Sequence, residues 1–147
     1  MSTNRRGSGA RSRSKSASSK SPPWREFEKA VASFVASTDP RAKVTHNAFT
    51  PDGQTQRPRQ RDVWVEGTIG SFPLKILVSC KRYKRRLDED HIDAFSGVVR
   101  NSGAHLGVLY SYSGFTEPAV EKAKKLQPAI ECCRLFTYQP AELPEVL

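Results

Sequence analysis

Leu74–Arg86 reads LKILVSCKRYKRR, an apolar alternation that runs directly into a burst of positive charge. With a two-residue period, Lys75, Leu77, Ser79 and Lys81 share one face of a strand and Ile76, Val78 and Cys80 the other. A lysine at the polar end of a strand otherwise built for burial needs an anion nearby, because an unpaired ammonium is costly to desolvate. Lys81 therefore marks where a site is expected, with Ser79 on the same face two residues earlier.

Upstream, RDVWVEG alternates in the same way, placing Asp62, Trp64 and Glu66 on one face and Val63 and Val65 on the other. GTIGSFP turns the chain, so the two strands are expected to form an antiparallel hairpin. The turn chemistry does not match a tight two-residue loop, which leaves the register open. If the register permits, Asp62 near the start of one strand lies close to Lys81 at the end of the next. Before them come a short strand, VTHNAF, and the Pro-, Gly- and Gln-rich loop TPDGQTQRPRQ, with Arg57, Arg59 and, at its edge, Arg61.

PPWREFEKAVASFVAS opens the domain as a helix, with Trp24, Phe27, Val31, Phe34 and Val35 in one arc at about 100° per residue. Glu28 falls at the border of that stripe. It is either an edge residue with its head in water or an acid aimed at a site beneath the helix. Downstream, DEDHIDAFSGVVRNSG reads as a helix with acids in its first turn and Gly103 just past its end. AHLGVLYSYSGF reads as a central strand. TEPAVEKAKKL is a short helix capped by Thr116, and ECCRLFTY a last strand. The order αβββαβαβ predicts an α/β fold, a mixed sheet with helices on both faces.

The 147 residues, 37% hydrophobic, suit one domain with a modest core. Of the net charge of +9, six charges (Arg5, Arg6, Arg11, Arg13, Lys15, Lys20) lie in a Ser/Arg-rich tail over 1–22, expected to be disordered and drawn to polyanions. The domain is expected over 23–140, with a C-terminal tail over 141–147. No run of about eighteen apolar residues and no secretory h-region is present, so a cytoplasmic protein with no membrane partner is expected. Cys80, Cys132 and Cys133 form no metal-binding spacing and read as buried thiols. His91 and His105 stand singly, and His91, in a helix first turn, reads as a surface residue.

A strand acid beside a strand lysine suits metal-assisted phosphodiester cleavage, although a charged pair across a hairpin is more commonly a surface ion pair. The segments FEKAV, RQRDVWVEG, CKRYKRR, IDAFSGVVRNSGAHLGVLYS and SGFTEPAVEKA together resemble, in order and spacing, the Mrr-like (type IV) restriction endonucleases of the PD-(D/E)XK superfamily, over residues 24 to 126. The resemblance implies a restriction-endonuclease-like mixed sheet and Mg²⁺-dependent endonuclease action on DNA, with Mn²⁺ as a substitute. It also implies Asp62 as the metal-binding aspartate, Lys81 as the catalytic lysine and Glu28 as the first-helix acid that completes the site and shares the metal. Ser79 stands where that family has Glu or Gln. Three outcomes remain open: a working nuclease in which Glu28 supplies the missing carboxylate, with Glu66 a weaker candidate; an inactive nuclease fold that binds DNA; or an RNA-binding protein led by the tail. Arg57, Arg59 and Arg61 before Asp62, and Arg82, Lys84, Arg85 and Arg86 after Lys81, are expected to track a DNA backbone. The family's separate recognition domain is expected to have no room here, so specificity is expected from a recognition partner, from a homodimer, or to be absent.

Overall fold

In the computed structural model, residues 22–135 and 145–146 are described. The elements are α1 (Pro23–Thr38), β1 (Lys43–Pro51), β2 (Pro58–Ile69), β3 (Phe72–Lys81), α2 (Glu89–Ser102), β4 (Leu106–Ser111), α3 (Glu117–Ala123), β5 (Ala129–Arg134) and β6 (Glu145–Val146). They follow the expected order with one addition, the two-residue β6 within the span read as a C-terminal tail. The expected N-terminal tail lies outside the described residues. No helix among the described residues is long and apolar enough to cross a membrane.

The alternations in β2 and β3 bury what they promise, and they set the register: Val63 pairs with Val78, Trp64 with Leu77 and Glu66 with Lys75. The expectation of a looser connection is overturned, because Ile69 pairs with Phe72 and only Gly70 and Ser71 intervene. Gly70, at φ 60°, supplies the positive dihedral at the first central position, so the serine after it needs none.

The strands stand side by side in chain order, β1 to β6, in one six-stranded sheet. β3, β4 and β5 run parallel and the remaining pairs antiparallel. On one face α1 places Phe27 and Val31 against Val63, Val65, Val78 and Cys80. On the other, α2 and α3 place Ile92, Phe95, Val99, Ala119 and Ala123 against Trp64, Leu77 and Leu109. Close packing requires Gly107 on β4, where an added Cβ would come within 2.5 Å of Val99 Cγ2. Trp24 departs from the apolar arc expected of α1 and is 50% exposed, in the first turn beyond the sheet's cover.

The segment read as a loop between β1 and β2 is shorter and better tied than its composition suggests. Asp52 accepts hydrogen bonds from the Gln54 and Thr55 amides, both at 3.0 Å, and the Gly53 amide donates to the Asn101 carbonyl of α2 at 2.7 Å. Within β1, Asn47 adopts a left-handed backbone at φ 52°. His46 before it reaches α1, whereas Ala48 after it joins the cluster under α2. One residue thus resets which face the strand presents.

Candidate active site

Extending the β2–β3 register one pair beyond Val63–Val78 sets Asp62 opposite Ser79, and two residues further sets Lys81 opposite Gln60. Asp62 Oδ2 accepts two hydrogen bonds, from Ser79 Oγ at 3.0 Å and from the Cys80 amide at 2.8 Å. The serine hydroxyl thus spends its hydrogen on the aspartate, and Oδ1 of Asp62 keeps its lone pairs. The Tyr112 amide donates to the Lys81 carbonyl at 3.0 Å, pinning the strand end to the segment after β4. The Lys81 ammonium lies 5.9 Å from the Tyr83 ring centroid and forms no ion pair among the described residues.

Glu28 projects from α1 on the turn that buries Phe27 and Val31, and it is 8% exposed. Burial, and then the charge of Asp62, push its carboxyl above the ordinary 4.5, against the opposing effects of His46 and Arg25. His46 Nε2 lies 3.4 Å from Glu28 Oε2. Two carboxylates from different elements therefore sense each other in a part-buried setting, each engaged through one oxygen.

A cavity of about 390 Å³ opens over the strand face that carries Asp62, Ser79 and Lys81. Its far wall is Ala94, Phe95 and Val98 of α2, with Tyr83 and His91 at the side. Glu28 does not line it. His91 closes a capping box with Asp88 at the start of α2, and its ring stands 5.7 Å from Tyr83. The sequence reading missed this placement of His91, because a singleton histidine in a first turn carries no periodic signal. It also passed over His46 inside VTHNAF.

The cationic residues divide. Arg57, Arg59, Lys84, Arg85 and Arg86 are exposed. Arg82 is half-buried, its guanidinium 4.4 Å from the Tyr112 ring centroid. Arg61 does not join the exposed set. It is 6% exposed, and its Nε donates to Thr50 Oγ1 at 3.0 Å. Desolvation there lowers its pKa, with Asp52 acting the other way. Glu66 stands apart from Asp62, across from Lys75, and accepts a hydrogen bond from Trp64 Nε1 at 3.0 Å. The three cysteines are free and buried, and burial raises Cys132 to about 12 and Cys133 to about 11, which makes them poor nucleophiles.

A mixed sheet flanked by α1 on one face and α2 and α3 on the other, with an aspartate and a lysine on neighbouring strands, defines a restriction-endonuclease-like fold. The restriction endonuclease family model of Mrr type matches residues 20–135, and the chain belongs to that family. A crystal structure of a protein of unknown function, AF1548, superposes with a TM-score of 0.60 at 12% identity, covering 74% of this chain and 58% of that one. At that identity the likeness speaks to fold alone, and this chain spans less than two thirds of that protein. No curated protein sequence matches the chain.

Proposed function

We propose that this domain is a divalent-metal-dependent endonuclease acting on DNA, with Mg²⁺ as its ion and Mn²⁺ as a substitute. The observation that carries the reading is the cavity that sets Asp62, Ser79 and Lys81 on one wall, with Asp62 held through Oδ2; burial and then the charge of Asp62 raise the Glu28 carboxyl from the neighbouring helix. Two part-buried carboxylates gain from a shared cation, and Mg²⁺ is commonly held by one or two carboxylates, waters and substrate phosphate oxygens. The donor chemistry fits such an ion: among the described residues Oδ1 of Asp62 and Oε1 of Glu28 are both clear of hydrogen bonds.

Asp62 and Glu28 would hold the ion. When bound, it polarises the phosphate and lowers the pKa of a coordinated water. Lys81, with no ion pair among the described residues, orients the attacking water or stabilises negative charge as it develops on the phosphate. Ser79 keeps Asp62 in place in lieu of adding a carboxylate. Arg57, Arg59, Lys84, Arg85 and Arg86, with Arg82 beside them, offer a cationic rim for the DNA backbone.

A second reading keeps the fold and the DNA surface without catalysis. It is favoured by the neutral hydroxyl at Ser79, which leaves the site one carboxylate short of a Glu-x-Lys arrangement. Nicking of supercoiled plasmid in Mg²⁺, Mn²⁺ or EDTA separates the two. Metal-dependent nicking that is lost in Lys81→Ala and Asp62→Ala supports the nuclease. Inert wild type with nicking gained in Ser79→Glu shows a site silenced by the serine. No nicking in any variant, with salt-sensitive DNA binding retained, supports the binding module.

A further inference from the structure

The proposed ligands Asp62 and Glu28 are oriented by different means. Asp62 is clamped twice through Oδ2, by a side chain and by a backbone amide. Glu28 projects from a helix and has one hydrogen-bond partner among the described residues, His46. A glutamate has three side-chain torsions to fix, and nothing on α1 itself holds this one: Arg25, one turn earlier, acts only through its charge.

His46 reaches Glu28 because of the local backbone of β1. It pairs with Val63, the residue after Asp62, and so faces α1. The left-handed turn at Asn47 then sends the rest of the strand to the other face. The same short stretch of β1 thus stands next to both carboxylate-bearing elements. An ionised carboxylate only accepts hydrogen bonds, so holding Glu28 through this contact calls for the His46 tautomer that carries its proton on Nε2. The imidazole, one-quarter exposed, stands 3.4 Å from Oε2, and Oε1 of Glu28 has no hydrogen-bond partner among the described residues.

We propose that His46 is a positioning residue of the proposed metal site, holding the Glu28 carboxylate through Oε2 from β1 while Oε1 stays clear of hydrogen bonds among the described residues. This rests on the nuclease reading above, and no motif of the resemblance pointed to it. Such outer partners of a metal ligand change affinity by roughly 10–100-fold when removed, without touching the ion.

Mn²⁺ binding, followed by the loss of the free-ion electron paramagnetic resonance signal in titrations of the full chain, tests the proposal. The proteins are wild type, Glu28→Gln, His46→Ala and His46→Gln, with melting temperatures taken in EDTA. His46→Ala should weaken Mn²⁺ binding about ten-fold or more at an unchanged melting temperature, and His46→Gln, whose amide donates from a similar reach, should recover most of it. If alanine fails to fold, His46→Met takes its place, being similar in bulk and lacking a donor. Wild-type affinity in His46→Ala alongside weakened binding in Glu28→Gln overturns the positioning role and leaves the nuclease reading standing. Loss of affinity in His46→Gln equal to that in His46→Ala also overturns it, since a donor would then not be what matters. Wild type indifferent to Mn²⁺ overturns the nuclease reading, and the positioning role with it.

Discussion

In the proposed nuclease, Ser79 and Glu28 divide between them what one longer acid would do. The serine hydroxyl is too short to reach past Asp62 and is taken up by it, so on that proposal the second carboxylate comes from α1. Ser79→Glu should therefore raise affinity for divalent ions, and Ser79→Ala should lower it by releasing one of the two clamps on Asp62; calorimetric titration with Mn²⁺ reads both. Glu28 gives a prediction with a definite sign. Its folded-state pKa lies above 4.5, so the metal-free folded protein holds that proton more tightly than the unfolded chain does. Its contribution to stability is full below pH 4.5 and is lost as pH rises through the raised value. Glu28→Gln should accordingly stabilise the metal-free protein at neutral pH, and the advantage should vanish below pH 4.5, as followed by urea denaturation in EDTA. Of the candidate site, Asp62, Lys81 and Glu28 carry a signal in the sequence, through the family resemblance and helical spacing, and their roles belong to the proposal above. His46 and His91 carry no such signal, because each enters through tertiary placement: one by a backbone reset at Asn47, the other by α2 folding over β3.

At the scale of elements, the helices and strands were legible wherever one apolar face meets the core, as in β2, β3 and α2. The misreadings concern backbone geometry. The β2–β3 connection is a glycine-first two-residue turn, and the Gln-rich segment before β2 is tied to α2 through Gly53 and Asn101, features that composition does not encode. The glycines of the α2–β4 packing separate backbone freedom from space. Gly107→Ala pushes a methyl into Val99 and Phe95, at separations of 2.5 and 3.0 Å. It should cost about 1–3 kcal/mol in chemical denaturation. Gly97 lies within α2 with nothing within 4 Å of its would-be Cβ. Gly97→Ala should stabilise by about 0.5–1 kcal/mol in the same assay. Phe27→Ala, which empties a fully buried position under α1, should cost about 3–5 kcal/mol and loosen the element that carries Glu28.

Across the whole molecule, positive charge is concentrated in the N-terminal tail and in the run Arg82–Arg86 after β3, while the buried charged residues among those described are Glu28, Asp52 and Arg61. If both cationic regions bind DNA, affinity should fall steeply with salt. Deleting residues 1–21, which removes Arg5, Arg6, Arg11, Arg13, Lys15 and Lys20, should flatten the slope of log K against log salt by about 0.9 for each phosphate that the tail had neutralised. Filter binding to a fixed duplex between low and moderate salt measures this, and a slope unchanged by the deletion means that the tail does not touch the backbone. The left-handed residue in β1 has a further consequence at this scale. β1 ends the sheet, so its outer row of amides and carbonyls has no strand partner among the described residues. A flat, nine-residue edge of that kind is a template on which another chain can add a strand. The kink at Asn47 breaks the row in the middle, and Lys43 and Pro51 blunt its two ends. Asn47→Val, which disfavours positive φ, should straighten the edge and make the domain polymerise on warming, with light scattering rising well before the sheet itself melts.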